Sequence, residues 1–264
     1  MATLVCFHAH PDDEAIATGG VMAKAAAEGH RVVLVVATRG EHGEVAEGYL
    51  EPGEELWARR IEETARAAKI LGVARHEFLG YVDSGMMGTP ENEAPDAFWQ
   101  ADIEEAATRL ATILEEERAD ALTVYDDHGN YGHPDHIQVH RVGVRAGAMA
   151  GTPRVFEATV NRDQVRALIL AAAEQDPQLR ADAEERGLTD MGSPAELINT
   201  TVDVLPWLDR KREALFSHAS QVNEESWFAQ MPEEAFRAGF GQEWFILRDP
   251  PAGWRGTDLL EGLE

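Results

Sequence analysis

Two short runs of nearly continuous apolar residues stand out, Thr-Leu-Val-Cys-Phe-His at 3–8 and Arg-Val-Val-Leu-Val-Val-Ala-Thr at 31–38. A strand with one wet face would alternate, so these read as strands buried on both faces. Between them residues 14–28 are rich in alanine and stop at Gly29, which predicts a helix. Strand, helix, strand with short joints is a βαβ unit with a right-handed crossover. The alternation continues with a helix over 54–71 stopped by Gly72, a short strand near 76–80, and a helix over 96–117. A strand at 120–125, a helix over 134–150 opening on Pro134, and a strand at 153–160 complete it. Past residue 160 the pattern weakens: 161–175 and 206–219 read as helices, 176–200 as loop, and 241–247 as a strand. The reading is α/β: a Rossmann-like, mostly parallel sheet over residues 1–160 with helices on both faces. A smaller C-terminal α+β portion, 161–264, packs on this core within one structural domain.

With 264 residues, 44% of them hydrophobic, the chain can bury the core such a sheet needs. Its formal net charge of −25, from 23 basic and 48 acidic residues, repels phosphate backbones and anionic lipid, so neither nucleic acid nor membrane is an expected partner. The longest apolar run, Val32 to Ala37, is too short to span a bilayer. No basic stretch followed by an apolar one opens the chain, and the single Cys6 lies in an apolar strand as an inert thiol. A cytoplasmic protein is expected. Composition is silent on self-association and leaves a homo-oligomer open.

Chemistry concentrates in two places. His8-Ala9-His10-Pro11-Asp12-Asp13-Glu14 directly follows the first strand, and Tyr125 through His136 directly follows the strand at 120–125. Open parallel sheets bind ligands at the carboxyl ends of their strands, so both loops can face one cavity if the two strands are neighbours. His10 and Asp13, three apart at a helix start, can converge on one point, and imidazole plus carboxylate suits a divalent ion such as Zn²⁺. Asp12, between them, points elsewhere and stays free. His133 and His136 repeat the spacing, so one can ligate while the other serves as acid or base. Two His, one carboxylate, an open position and no cysteine describe a catalytic site rather than a closed structural one. Asp, His, Gly and Pro are also common in turns, and Asp12, Asp13 or Asp135 can simply cap helices. The coincidence of two such loops at two core strand ends favours chemistry. His8 reads as a strand residue, His128 as lining the cleft, and Glu14 as a first-turn helix residue. Gly19-Gly20 is no dinucleotide fingerprint.

Ala9-His10-Pro11-Asp12-Asp13-Glu14 with the distal His133-Pro134-Asp135-His136 resembles the LmbE/PIG-L family of zinc-dependent de-N-acetylases. The nearest motifs are those of N-acetylglucosaminyl-inositol deacetylases and mycothiol conjugate amidases. The resemblance implies removal of an acetyl group from an N-acetylated sugar or polyol conjugate, or cleavage of a thiol conjugate. A non-catalytic sugar- or nucleotide-binding module is the alternative of another class. The family resemblance implies Zn²⁺ (Fe²⁺ also fits) on His10, Asp13 and His136, with Asp12 as general base. His133 would stabilise or protonate the intermediate, working in its protonated form, Tyr131 would assist at the oxyanion, and Asp135 would orient the catalytic imidazole. Arg60 in Arg60-Ile61-Glu62-Glu63 and Asp83 in Asp83-Ser84-Gly85-Met86 resemble substrate-binding residues. His218 falls in a stretch resembling a C-terminal family segment and carries no implied role. The 39–57 loop and the C-terminal third are where substrate choice would be set.

Overall fold

The computed structural model describes all residues except 47, 175–177, 186, 224–225 and 264. Among the described residues a seven-stranded sheet runs in the order β3-β2-β1-β4-β5-β7-β6. The strands are β1 (Thr3–His8), β2 (Arg31–Val36), β3 (Arg75–Phe78), β4 (Ala121–Tyr125), β5 (Arg154–Thr159), β6 (Thr200–Asp203) and β7 (Gln242–Leu247). The first five are parallel, while β7 pairs antiparallel with both β5 and β6. The C-terminal portion therefore extends the same sheet.

Every residue of β1 is buried, as its unbroken apolar run requires. Its side chains alternate between two cores: Leu4 and Cys6 join one cluster, Val5 and Phe7 the other. The helices are α1 (Asp13–Ala17), α2 (Gly19–Ala27), α3 (Leu56–Leu71), α4 (Ile103–Glu117), the single turn α5 (Gly129–Gly132) and α6 (Pro134–Ala150). They continue with α7 (Arg162–Ala173), α8 (Gln178–Glu185), α9 (Leu208–Ser217), α10 (Trp227–Gln230) and α11 (Glu233–Phe240). Residues of α2, α3, α9 and α11 fill the first core, those of α4 and α6 the second, so helices cover both faces.

The sequence reading gives no element for β6, α10 or α11, and three of its stretches differ from the structure. The helix expected over 14–28 is two helices. Thr18 breaks it at φ −137°, bonding His8 Nε2 and the Glu14 carbonyl, and α2 restarts with the Gly20 and Val21 amides donating to the buried Glu243 carboxylate of β7. The helix expected over 96–117 begins at Ile103, because Asp102 caps it by accepting from the Glu105 amide, and Phe98 belongs to a preceding 3₁₀ turn. Within the expected 176–200 loop lies α8, which carries an Arg180–Glu184 ion pair at 2.8 Å. Residue 175 of the expected helix and residues 176–177 and 186 of the expected loop lie outside the described residues, as does residue 47 of the 39–57 loop.

Candidate active site

β1 and β4 are hydrogen-bonded neighbours, with Leu4 opposite Ala121 and Cys6 opposite Thr123, so the two His/Asp loops leave the sheet side by side at its carboxyl edge. The first loop runs straight into α1, whose first residue is Asp13. The second ends at His133, the N-cap of α6, with Pro134 at the first helical position, where a missing N–H costs nothing. Gly129 adopts φ +70° and packs against His136 and Ile137, and a Cβ there would stand 2.8 Å from the His136 Cβ. The loop folds back tightly enough to put three histidines together.

His10 Nδ1 and His136 Nε2 each stand 3.4 Å from the same oxygen, Asp13 Oδ2. That spacing is long for a hydrogen bond, yet it matches the edge of about 3.3 Å between ligand atoms around a tetrahedral zinc ion. The nitrogens of His10, His133 and His136 also lie within 4.8 Å of one another. The other nitrogen of His10, Nε2, meets the Asp135 carboxylate at 3.0 Å and Asp83 at 3.5 Å, the carboxylate backing that metal-binding imidazoles ordinarily have. Burial works against a charge on His10, but Asp13, Asp135 and Asp83 outweigh it and hold its pKa well above the ordinary value. Burial likewise pushes Asp13 up, and His136 and His10 overcome it, leaving the carboxyl well below its usual range. The donor set, its spacing and its concentrated negative charge fit a divalent cation.

Asp12 adopts φ +99°, outside the regions L-residues favour. Burial lifts its pKa to about 6, with Arg60 partly offsetting the rise. Arg60 is 3% exposed. It was expected to reach substrate, yet its guanidinium donates to the carbonyls of Gly40 (3.0 Å) and Pro11 and stands 3.4 Å from Asp12. Asp83 is also buried, accepting from the Gly85 amide at 2.8 Å and the His42 amide at 3.3 Å, so it ties the 39–57 loop to the cluster.

Asp135 was expected to orient His133 through its carboxylate. That carboxylate instead takes His10 and both the amide and hydroxyl of Ser84, while the Asp135 amide donates to His133 Nδ1 at 3.1 Å. The reason is its place at the second position of α6, where the backbone N–H faces the cap residue. Burial, then His10 and His136, push the His133 pKa down to about 4. An imidazole that accepts at Nδ1 and stays neutral carries its proton on Nε2, so His133 is a neutral donor rather than the imidazolium expected. Tyr131 is 51% exposed, its hydroxyl 3.4 Å from His136 Nε2, and burial of that hydroxyl raises its pKa, keeping it an O–H donor.

Four buried groups beside these residues make contacts that the sequence reading did not foresee. Tyr125, the last residue of β4, stacks on His136 at 4.2 Å between centroids and bonds His8 at 2.8 Å. His8 closes β1, as expected of a strand residue, and burial takes its pKa down to about 4. Glu14 pairs with His218 at 2.6 Å, and both are fully buried. Tyr125 and His8 close strands that end at the predicted site, which was a usable signal; Glu14 and His218 are 204 residues apart and gave none. His128, expected in the cleft, contacts the Gly192 carbonyl at 3.0 Å.

The family model described as PIG-L: GlcNAc-PI de-N-acetylase matches residues 5–147. The chain is 40% identical over 278 residues to a 1D-myo-inositol 2-acetamido-2-deoxy-alpha-D-glucopyranoside deacetylase of Acidothermus cellulolyticus, covering 99% of this chain and 95% of that one. The protein of the same description from Thermobifida fusca is also 40% identical, with 98% and 96% covered. Among solved structures, the N,N'-diacetylchitobiose deacetylase of Pyrococcus horikoshii superposes with a TM-score of 0.63 at 21% identity, covering 93% of this chain and 83% of that one. A 4-carboxy-2-hydroxymuconate hydratase of Pseudomonas putida matches with a TM-score of 0.57 at 18% identity, covering 96% and 98%. At such identities the superpositions establish the shared fold alone.

Proposed function

Because the chain belongs to the PIG-L family of de-N-acetylases, we propose that it hydrolyses the acetamide of an N-acetylglucosaminyl–inositol conjugate, releasing acetate and the free amine. The observation that carries the reading is geometric: two imidazoles aimed at one Asp13 oxygen, with the Asp12 carboxylate beside them, outside that set and 3.4 Å from Arg60. His10, Asp13 and His136 would hold Zn²⁺, and such a donor set also accepts Fe²⁺. When bound, the ion polarises the acetyl carbonyl and lowers the pKa of water from 15.7 towards ~7.

The chain's own groups supply the proton work. Asp12 takes a proton from the attacking water, and a pKa near 6 also lets it return that proton to the departing nitrogen as the C–N bond breaks. His133 donates its Nε2–H to the oxyanion that develops on the acetyl carbonyl, and the Tyr131 hydroxyl adds a second donor. Ser84 and the Asp135 carboxylate hold His10 in place throughout. Substrate choice follows the relatives, whose names specify a sugar–inositol acetamide. No helix among the described residues is long and apolar enough to cross a membrane.

The test is acetate release from 1D-myo-inositol 2-acetamido-2-deoxy-α-D-glucopyranoside by zinc-loaded protein. Turnover should exceed that of N-acetyl amino acids by at least about 10²-fold, because buried polar groups reject ligands that leave them unpaired. It should vanish on chelation and return with Zn²⁺. Turnover that survives exhaustive chelation would sink the metal reading, and better turnover of N-acetyl amino acids would sink the substrate.

A further inference from the structure

We propose that Glu14 and His218 form a buried positioning pair that holds the Asp12 backbone, and so the aim of its carboxylate, during the hydrolysis. The inference rests on the reading of Asp12 as base. Asp12 is a non-glycine residue at φ +99°, ψ −33°, a conformation that persists only where its surroundings over-determine it. Those surroundings are two-sided. Arg60 donates to the Pro11 carbonyl and approaches the Asp12 carboxylate at 3.4 Å. On the backbone side, Glu14 Oε2 accepts the Asp12 N–H at 2.9 Å.

A carboxylate holding one amide could still swing about its own side chain. Glu14 cannot, because its second oxygen, Oε1, meets His218 Nε2 at 2.6 Å. The imidazole comes from the end of α9, which packs on α1. Both side chains are fully buried. A buried carboxylate facing a protein imidazole is a costly arrangement to keep unless it fixes something. What it fixes is the peptide joining Pro11 to Asp12. Neither residue is among the groups that would hold the ion, so the pair acts on the base without touching the metal.

The test uses the zinc-loaded, full-length chain acting on the N-acetylglucosaminyl–inositol conjugate. Glu14→Gln should lower kcat by about 10- to 100-fold, the loss that a small misplacement of a reacting group brings, with KM within about two-fold. Zinc content should be unchanged. In an Asp12→Asn background, Glu14→Gln should cost nothing further, because residues acting as a unit are not additive. His218→Gln, which keeps a donor towards Glu14, should recover most of the rate, and His218→Leu should not. Should His218→Leu not fold, Glu14→Gln and His218→Gln carry the test alone. An equal loss from Glu14→Gln in both backgrounds, or loss of zinc from the single variant, overturns the proposal. Normal turnover of Asp12→Asn alone would instead remove Asp12 as base, and the positioning role would fall with it.

Discussion

Asp12 is a largely enclosed carboxylate, and that desolvation, more than any neighbouring charge, lifts its pKa to about 6. A base must be ionised to work, so the acid limb of kcat/KM should rise through about pH 6 and flatten above it. Arg60 pulls in the opposite direction, favouring the charged carboxylate from 3.4 Å away. Removing that cation must raise the Asp12 pKa further, so Arg60→Gln should move the acid limb to higher pH. Rate at pH 6 should then suffer more than rate at pH 8. A pH profile of both proteins decides it: a limb that stays in place, with activity lowered equally everywhere, would mean that Arg60 supports only the Pro11–Gly40 loop. The burial of Arg60 was not legible in the sequence. Its helix position was legible, but the sign of its exposure was not, because the carbonyls that bury it belong to residues 20 and 49 positions away.

At the scale of elements, the site depends on how closely α6 lies on β4. Gly143 makes this contact, and a Cβ there would stand 2.2 Å from Val124 Cγ1 and 3.3 Å from Phe7. The neighbours are a β-branched strand residue and a buried aromatic, neither free to move. Gly143→Ala should therefore destabilise the fold by ~1–3 kcal/mol despite alanine's better helix propensity. By tilting α6 it should also weaken zinc binding through His136. Denaturant melts and zinc titration check both, and a variant as stable as the parent would show that the helix shifts without cost. β1, β2 and β4 were legible because burial on both faces writes unbroken apolar runs, and several helices because glycine ends them, whereas the half-exposed β6 has no such run. One misplaced boundary has a local cause. Asp102 with Glu105 is a capping pattern that should have moved the start of α4 to Ile103, and Phe98 drew the helix too far forward because a buried 3₁₀ aromatic looks periodic. The break at Thr18 depends on Glu243, more than 220 residues away, and no local pattern announces it. The two His/Asp loops were legible because residues so rarely clustered fell at two strand ends. The backing of the site by Tyr125, Glu14 and His218 was not, since it exists only once β1, β4 and α9 have met.

For the molecule as a whole, charge separates two substrates that share the same acetamide. The family's description names a GlcNAc conjugate of phosphatidylinositol, an anionic phosphodiester, whereas the relatives at 40% identity are named for a neutral sugar–inositol. This chain carries a formal net charge of −25. Its cluster draws together Asp12, Asp13, Asp83 and Asp135, and a bound dication would offset only part of that charge. The field over the cleft therefore opposes an anion before contact, slowing its encounter and weakening its binding, while a neutral ligand is indifferent to it. Salt should discriminate between the two, because long-range repulsion is screened over about 10 Å at 0.1 M ionic strength. Raising ionic strength from about 0.02 M to about 0.5 M should increase kcat/KM for a soluble phosphorylated N-acetylglucosaminide several-fold. The neutral inositol conjugate should change by less than about two-fold over the same range. Asp83, which links the 39–57 loop to His10, supplies a local part of the same field, so Asp83→Asn should narrow the gap between the two substrates at low salt. If both substrates respond to salt alike, the global charge serves solubility alone, and the preference must be built from contacts with the inositol hydroxyls.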